Sequence, residues 1–380
     1  MEIKKAIYAI SILSGTIIGV GVFSLPYITL KVGFWTILGY FLVLGTLAIL
    51  VHLFYGKLAL LTPDFKRFSG FVKFHLGKKA EKIALISTIL GLFGAILAYL
   101  IVGGEFLENL LSPIFGGNNF LYTLLYFSLG AIIIYFGVKV IAKIEFWGLI
   151  LFFIVLLVIF FQGKFFINVE NLFLNFTNDK LLAWPAGGGI ENLFLPYGAI
   201  LFSLWGAALI PEVEEMLGKD KKLLKKIIPI AILIPILVYL FFIYLILGIC
   251  GSQTTTSAMT GLQNFLGPRI VKIGLLFGFL TTFTSFIALG LTLKKAFWYD
   301  LRLNKNFAWA LTCFVPLILF LVGIQSFIGV ISVVGGIMLG IDGILILLMY
   351  KKIGGKKYLV WPLCSIFFLG ILYQIIYFTK

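Results

Sequence analysis

The feature that most constrains this chain is the recurrence, along its whole length, of apolar stretches of 18 or more residues. Wound as a helix, such a stretch crosses the hydrocarbon core of a bilayer, about 30 Å thick. Only 12% of the residues are charged, about half of what the surface of a soluble domain carries. A soluble globular fold is therefore excluded. Eleven crossings are expected, at 6–30, 34–61, 82–111, 119–137, 143–162, 192–217, 226–250, 269–294, 306–323, 326–350 and 357–378. Lys4 and Lys5 precede the first run, which continues past Leu25 without a small-residue cleavage site. It reads as a retained span and not as a signal peptide.

The net charge of +15 could suggest a polyanion partner, but its distribution assigns it another role. With the amino terminus inside, six cations fall outside: Lys31, Lys164, Lys180, Arg269, Lys272 and Lys380. The other 24 of the 30 Lys and Arg fall inside. That bias orients a protein of the cytoplasmic membrane, with a cytoplasmic N-terminus and an external C-terminus, and implies no nucleic-acid partner. The three cysteines lie in or beside apolar segments without metal spacing. Between spans two and three, basic residues interleave with Phe65, Phe68, Phe71 and Phe74, either as an interfacial helix or as a plain basic loop. The external connection 163–191 carries a Trp-Pro-Ala-Gly-Gly-Gly turn at 184–189, and the segment 252–267 is expected to place a helical turn or two over the outer mouth.

Two spans are interrupted. Span one holds Gly15, Gly19 and Gly21, followed by Pro26. Each glycine costs about 1 kcal/mol of helix propensity relative to alanine. A break there frees backbone groups that are tolerated at mid-membrane only if they line a cavity or bind something. The outer half-helix, starting near Gly21, would aim its positive dipole end at a carboxylate. The alternative is close helix packing across a GxxxG-like face. In span six, Ser203 and Gly206 interrupt the apolar run beside Trp205, and carbonyls freed near Phe202 and Ser203 could accept from an ammonium group. Donors on one helix and acceptors on the other suit a zwitterion. Each interrupted span begins a group of five, so the second group is inverted, and paired interruptions point to a transporter's central site.

The run Gly15-Thr-Ile-Ile-Gly-Val-Gly-Val-Phe-Ser-Leu-Pro-Tyr27 resembles the first span of the amino acid/auxin permease and aromatic amino acid permease families. These belong to the amino acid–polyamine–cation superfamily, with a LeuT-type fold. Gly94–Leu107 in span three and Thr284–Gly290 in span eight add to the likeness. The resemblance implies an all-α polytopic membrane protein: a 5+5 inverted repeat with spans one and six broken, plus an eleventh, peripheral span. The chain would be one transporter domain over 1–380, with halves 1–162 and 192–350 and the extra span at 357–378. Carried over residue by residue, Thr16 and Ile18-Gly19-Val20-Gly21 would meet the substrate carboxylate. Phe202, Ser203, Leu204 and Trp205 would meet the amine, with Tyr99 approaching from span three. The resemblance implies an amino acid symporter working by alternating access and leaves the substrate open. The absence of fixed charge near Gly19–Gly21 and Phe202–Gly206, with Phe23, Tyr99 and Trp205 nearby, points to neutral, apolar or aromatic amino acids.

Thr281, Thr284 and Ser285 share one face of span eight. The resemblance implies a sodium between that face and the Gly15 and Ile18 carbonyls. The plainer reading is that membrane Ser and Thr bond their own backbone. Proton coupling needs a titratable group instead, and Asp342 in span ten is the clearest intramembrane acid. A structural pairing of Asp342 stays equally open, and the coupling ion is either Na+ or H+, with no other cofactor expected. Lys143 and Glu145 lie at the inner end of span five. Glu105, Glu108 and Glu212 read as interface or gating groups, and His52 as a packed, hydrogen-bonded side chain. A membrane-embedded enzyme would need convergent nucleophile, acid–base or metal groups, which two distant histidines and isolated acids do not supply. A divalent-metal carrier would need acidic and Met ligands in spans one and six, and those stretches have neither. Another small organic solute or amine remains the alternative cargo. The partners implied are the bilayer and a small substrate, with monomer and homo-oligomer both open.

Overall fold

The computed structural model describes residues 2–63, 66–137, 141–176 and 194–379. The turn at 184–189, Lys180, Lys380 and the side chains of Lys143 and Glu145 lie outside the described residues. Seven helical stretches are long and apolar enough to cross a bilayer, counting Leu195–Gln253, where spans six and seven follow one another, as one. The bent pair Lys4–Ile17 and Val20–Val32 adds another, and Trp147–Gly163 and Lys305–Leu321 are shorter apolar helices. Together they account for the eleven expected segments.

Span two is Phe34–Leu61, span three Lys78–Phe115, span four Asn119–Phe136 and span five Ile141–Gly163. Span seven is Leu224–Cys250, span eight Pro268–Lys295, span nine Lys305–Leu321 and span eleven Lys357–Thr379. The chain turns tightly between the first spans because Gly33 (φ 88°) leaves the helical region where a side chain would be strained. Asn118 caps span four, its Oδ1 accepting from Leu121 N at 3.1 Å.

The basic segment after span two forms a helix, Phe68–Leu76, with Phe71, Val72 and His75 buried and Lys73 and Phe74 exposed. It packs against span three. The external connection before span eight carries two short turns, Gly251–Gln253 and Thr260–Asn264. Ser257, between them, donates to Glu105 Oε1 at 2.6 Å, and Glu108 Oε2 accepts from Asn119 Nδ2 at 2.9 Å. Span three runs along span eight through the middle of the bundle, while span eleven lies mainly against span ten. Leu42, Leu237, Phe161 and Leu369 are among the large apolar side chains that face outward, as a lipid-facing surface requires.

Span ten departs from the regular helix that its apolar run predicts. Phe327–Val333 passes into a π-helical turn, Val334–Met338, before Leu339–Lys352 resumes as α-helix. The turn exists because the backbones of spans six and ten touch there. A Cβ on Gly335 would overlap Gly198 O and stand 2.7 Å from Gly198 C and 2.8 Å from Phe202 N. Neither glycine leaves room for a side chain, and single π-turns inside α-helices occur often at functional sites.

Candidate functional site

Spans one and six are both broken. Span one is α-helical over Glu2–Ile17, leaves the helix at Ile18 and Gly19, and resumes as a short 3-10 turn Val20–Ser24 leading into Leu25–Val32. Gly19 is extended (φ −108°, ψ −159°), and the two halves differ in direction by 49°. Span six is α-helical over Leu195–Ser203, irregular through Leu204, Trp205 and Gly206, and helical again over Ala207–Leu209 and Ile210–Leu217. The breaks meet. A Cβ on Gly21 would stand 3.0 Å from Ser203 Cβ and 3.2 Å from Ser203 Cα, so only glycine lets the two strands of backbone approach this closely.

Side chains from three other spans hold the exposed backbone groups. Val20 N–H donates to Tyr99 Oη of span three at 3.2 Å. Gly206 N–H donates to His52 Nε2 of span two at 2.9 Å, while His52 Nδ1 donates to Ala48 O at 2.7 Å. A ring that accepts at one nitrogen and donates at the other is neutral, with its proton on Nδ1. Tyr239 Oη of span seven lies 2.6 Å from Ile17 O and 2.8 Å from Ser203 O. One hydroxyl hydrogen serves one of these carbonyls at a time. The sequence marked His52 as packed and hydrogen-bonded without a role, and did not single out Tyr239.

A cavity of about 210 Å³ lies against both breaks, lined there by Thr16, Gly19, Gly21, Tyr99, Phe202, Ser203 and Trp205. It extends towards the end of the bundle that holds the N-terminus, past Ser87 and Thr88 of span three and Asp342 of span ten. Asp342 thus shares the central cavity with Trp205, beside Ser87 of span three. A smaller cavity of about 90 Å³ lies beside the first, between spans one, five and eight. It brings together Gly15, Thr16, Ile18, Gly19, Val20 and Tyr99 with Thr281, Thr284 and Ser285. Thr281 and Thr284 bond carbonyls of their own helix, Thr281 to Phe277 O and Gly278 O and Thr284 to Thr281 O, each at 3.1 Å. Ile18 and Val20 thus line the smaller cavity and not the larger one. Leu204 lines neither: it is fully buried, because leaving the helix at this residue turns its side chain into the core.

On the side away from the N-terminus the cavity is plugged. Phe23 sets its ring edge-on to Phe106 (5.0 Å between centroids) and to Phe242 (6.0 Å), and the Gly198–Gly335 contact closes the gap between spans six and ten. Beyond the plug a wider cavity is lined by Tyr27, Lys31, Glu105, Gln325 and Phe327. Among the described residues no group of three or more His, Cys, Asp or Glu is placed to hold a metal ion.

Two spans broken at matching depth, a cavity between them and a plug on one side define a membrane transporter of LeuT-type fold, not an enzyme. Solved structures share the architecture, two of them as follows. One is the manganese transporter of Eremococcus coleocola in complex with an aromatic bis-isothiourea substituted compound, at TM-score 0.64 and 15% identity, over 98% of this chain and 85% of that one. The other is MhsT in complex with L-phenylalanine, at TM-score 0.58 and 14% identity, over 98% of this chain and 97% of that one. At such identities the likeness is one of fold. The chain belongs to the tryptophan/tyrosine permease family, whose model matches residues 2–375. No curated protein matches it in sequence.

Proposed function

We propose that this protein is a secondary transporter that carries aromatic amino acids, in symport with an ion, by alternating access. The observation that carries the reading is the cavity at the paired breaks. Gly19, Gly21, Phe202 and Ser203 offer backbone dipoles there, Tyr99 and Trp205 offer rings, and among the described residues no charged side chain lines that end. A zwitterion satisfies such a site without any fixed ion being buried beside it. The family name and the phenylalanine found in MhsT narrow the cargo from neutral amino acids to aromatic ones. We place the family in the amino acid–polyamine–cation superfamily. The halves 1–162 and 192–350, with 357–378 appended, act as one transport unit whose N-terminus is cytoplasmic and whose C-terminus is external.

For the coupling ion, the cavity between spans one and eight favours sodium. Carbonyls near Gly15 and Ile18 and the oxygens of Thr281, Thr284 and Ser285 surround it, and hard cations prefer such an oxygen set. A second reading, proton coupling through Asp342, is favoured by one of its carboxylate oxygens being buried without a hydrogen-bond partner. One experiment tests both readings: uptake of a labelled amino acid panel into proteoliposomes, with sodium and pH gradients imposed separately. Aromatic uptake should rise with one gradient only. If sodium drives it, Thr284→Ala combined with Ser285→Ala should abolish the stimulation. No concentrative uptake of any aromatic amino acid under either gradient would refute the proposal.

A further inference from the structure

Asp342 sits in the first turn of the helix that follows the π-turn of span ten. It is 8% exposed, and its Oδ1 is buried without a hydrogen-bond partner. A buried, unpartnered acceptor is costly in any protein and calls for an explanation. Ser87, across from it on span three, donates its hydroxyl to Met338 O at 2.8 Å and also bears on the Asp342 carboxyl, which still leaves Oδ1 without a partner. What Asp342 does face is the central cavity.

That cavity has two unlike ends. At one, the breaks present peptide dipoles beside Tyr99. At the other is the Asp342 carboxyl, the single charged side chain in the lining among the described residues. Between them the walls are apolar: Gly91, Leu92 and Ala95 of span three, Val334 and Ile346 of span ten, and the rings of Trp205 and Phe68. From Ala95, where the Tyr99 side chain leans, back to Ser87 is a little over two helical turns, about 12 Å at 1.5 Å per residue. That distance holds an aromatic amino acid lying lengthwise, its α-groups at the breaks, with room for one hydrogen bond beyond the ring.

We propose that Asp342 is the residue that selects among aromatic substrates, its carboxyl accepting the hydrogen bond of an indole N–H or a phenol O–H. Tryptophan and tyrosine carry such a donor at the far end of the ring, and phenylalanine does not. The inference rests on the reading of the chain as an aromatic amino acid carrier and deepens it. A site built to receive a donor discriminates strongly, because the ligand that lacks the donor leaves the acceptor unpaired. A carboxyl accepts at Oδ1 whether or not its other oxygen holds a proton, so the selection does not depend on which ion drives transport.

The test is counterflow in proteoliposomes at one fixed pH and without ion gradients, with labelled phenylalanine inside. The competitors are tryptophan and benzothienylalanine, which puts sulfur in place of the indole N–H and keeps the shape. Wild-type protein should prefer tryptophan by about tenfold to a hundredfold, the cost of leaving a buried acceptor without its partner. Asp342→Leu should reduce that ratio to within about threefold, with the fold of the variant checked by its thermal unfolding in detergent. Asp342→Ala, read in the same way, serves if the leucine variant is not produced. Asp342→Asn, which keeps an acceptor oxygen, should retain most of the preference. Equal competition by tryptophan and benzothienylalanine in the wild type would overturn the inference, as would an undiminished ratio in the leucine or alanine variant. Failure of the wild type to exchange any aromatic amino acid is a different result: it sinks the transport reading itself.

Discussion

Replacing Gly335 by alanine should force open the side of the protein that is closed in this structure. Its added Cβ would overlap Gly198 O and lie 2.7 Å from Gly198 C and 2.8 Å from Phe202 N. Carbon atoms in ordinary contact keep about 3.5–4.0 Å, so spans six and ten must part by about 1 Å. The atoms it would meet are backbone atoms, so no side chain can swing aside. Overpacking of this kind costs about 1–3 kcal/mol. The cost falls on the state in which spans six and ten touch, so the balance shifts towards the opposite state by about 5- to 150-fold. The assay is labelling of a cysteine placed at Ala95, buried in the central cavity behind the plug, by a membrane-impermeant thiol reagent added on the plugged side. The three native cysteines are buried and would be replaced beforehand. Gly335→Ala should label faster than the parent and lose most of its uptake, and Gly335→Val should do both to a greater degree. Parental labelling and uptake in Gly335→Ala would refute the claim that this contact is the gate.

Two further outcomes follow from the hydrogen bonds around the breaks. His52→Leu strands Gly206 N–H and removes an edge-on contact with Trp205 at 5.2 Å between centroids, which should cost about 2–4 kcal/mol. Thermal unfolding in detergent should show the loss, and His52→Gln, whose amide can both donate and accept, should recover at least half of it; an unchanged melting temperature in the leucine variant would count against this. On the short helix Phe68–Leu76, burial first and the charge of Lys352 second hold His75 below its ordinary pKa. The unfolded segment therefore takes up a proton more readily than the docked one, and docking should weaken as pH falls below about 6.5. Hydrogen exchange of residues 68–76 should quicken on acidification in the wild type and lose that pH dependence in His75→Gln.

The spans were legible because crossing a bilayer demands a long apolar run whatever the neighbours are. The breaks were legible only in part: glycine and serine in mid-span weaken a helix that has no water to fall back on, but the same glycines suit close helix packing, and the family resemblance is what decides for a break. The expected half-helix start near Gly21 and the observed start at Val20 differ by one residue. Leu204 was misassigned because four consecutive residues of span six were given one role, whereas leaving the helix turns each of them in its own direction. The π-turn of span ten was not visible, since Gly335 and Gly336 within an apolar run look like any packing glycines. What demands them is the backbone of Gly198, 137 residues away in sequence. Asp342 stood out as an intramembrane acid, but only the fold places it in one cavity with Trp205.

The breaks also change how binding has to be described. From sequence, a zwitterion would meet bare peptide dipoles. In the structure Val20 N–H, Gly206 N–H and the Ile17 and Ser203 carbonyls already have partners in Tyr99, His52 and Tyr239. A break at this depth requires such partners, because no water-filled bulk surrounds it. Binding is then an exchange of hydrogen bonds, and its net worth is smaller than the gross attraction between an ammonium and a carbonyl. Tyr239 makes the exchange possible on the carbonyl side. Ile17 O also accepts from Gly19 N–H at 2.8 Å, so the hydroxyl hydrogen can settle there while an ammonium takes Ser203 O, with no acceptor left unpaired. A side chain with one hydrogen and two carbonyls within reach thereby couples the two broken spans, since occupation of one break fixes the bonding of the other.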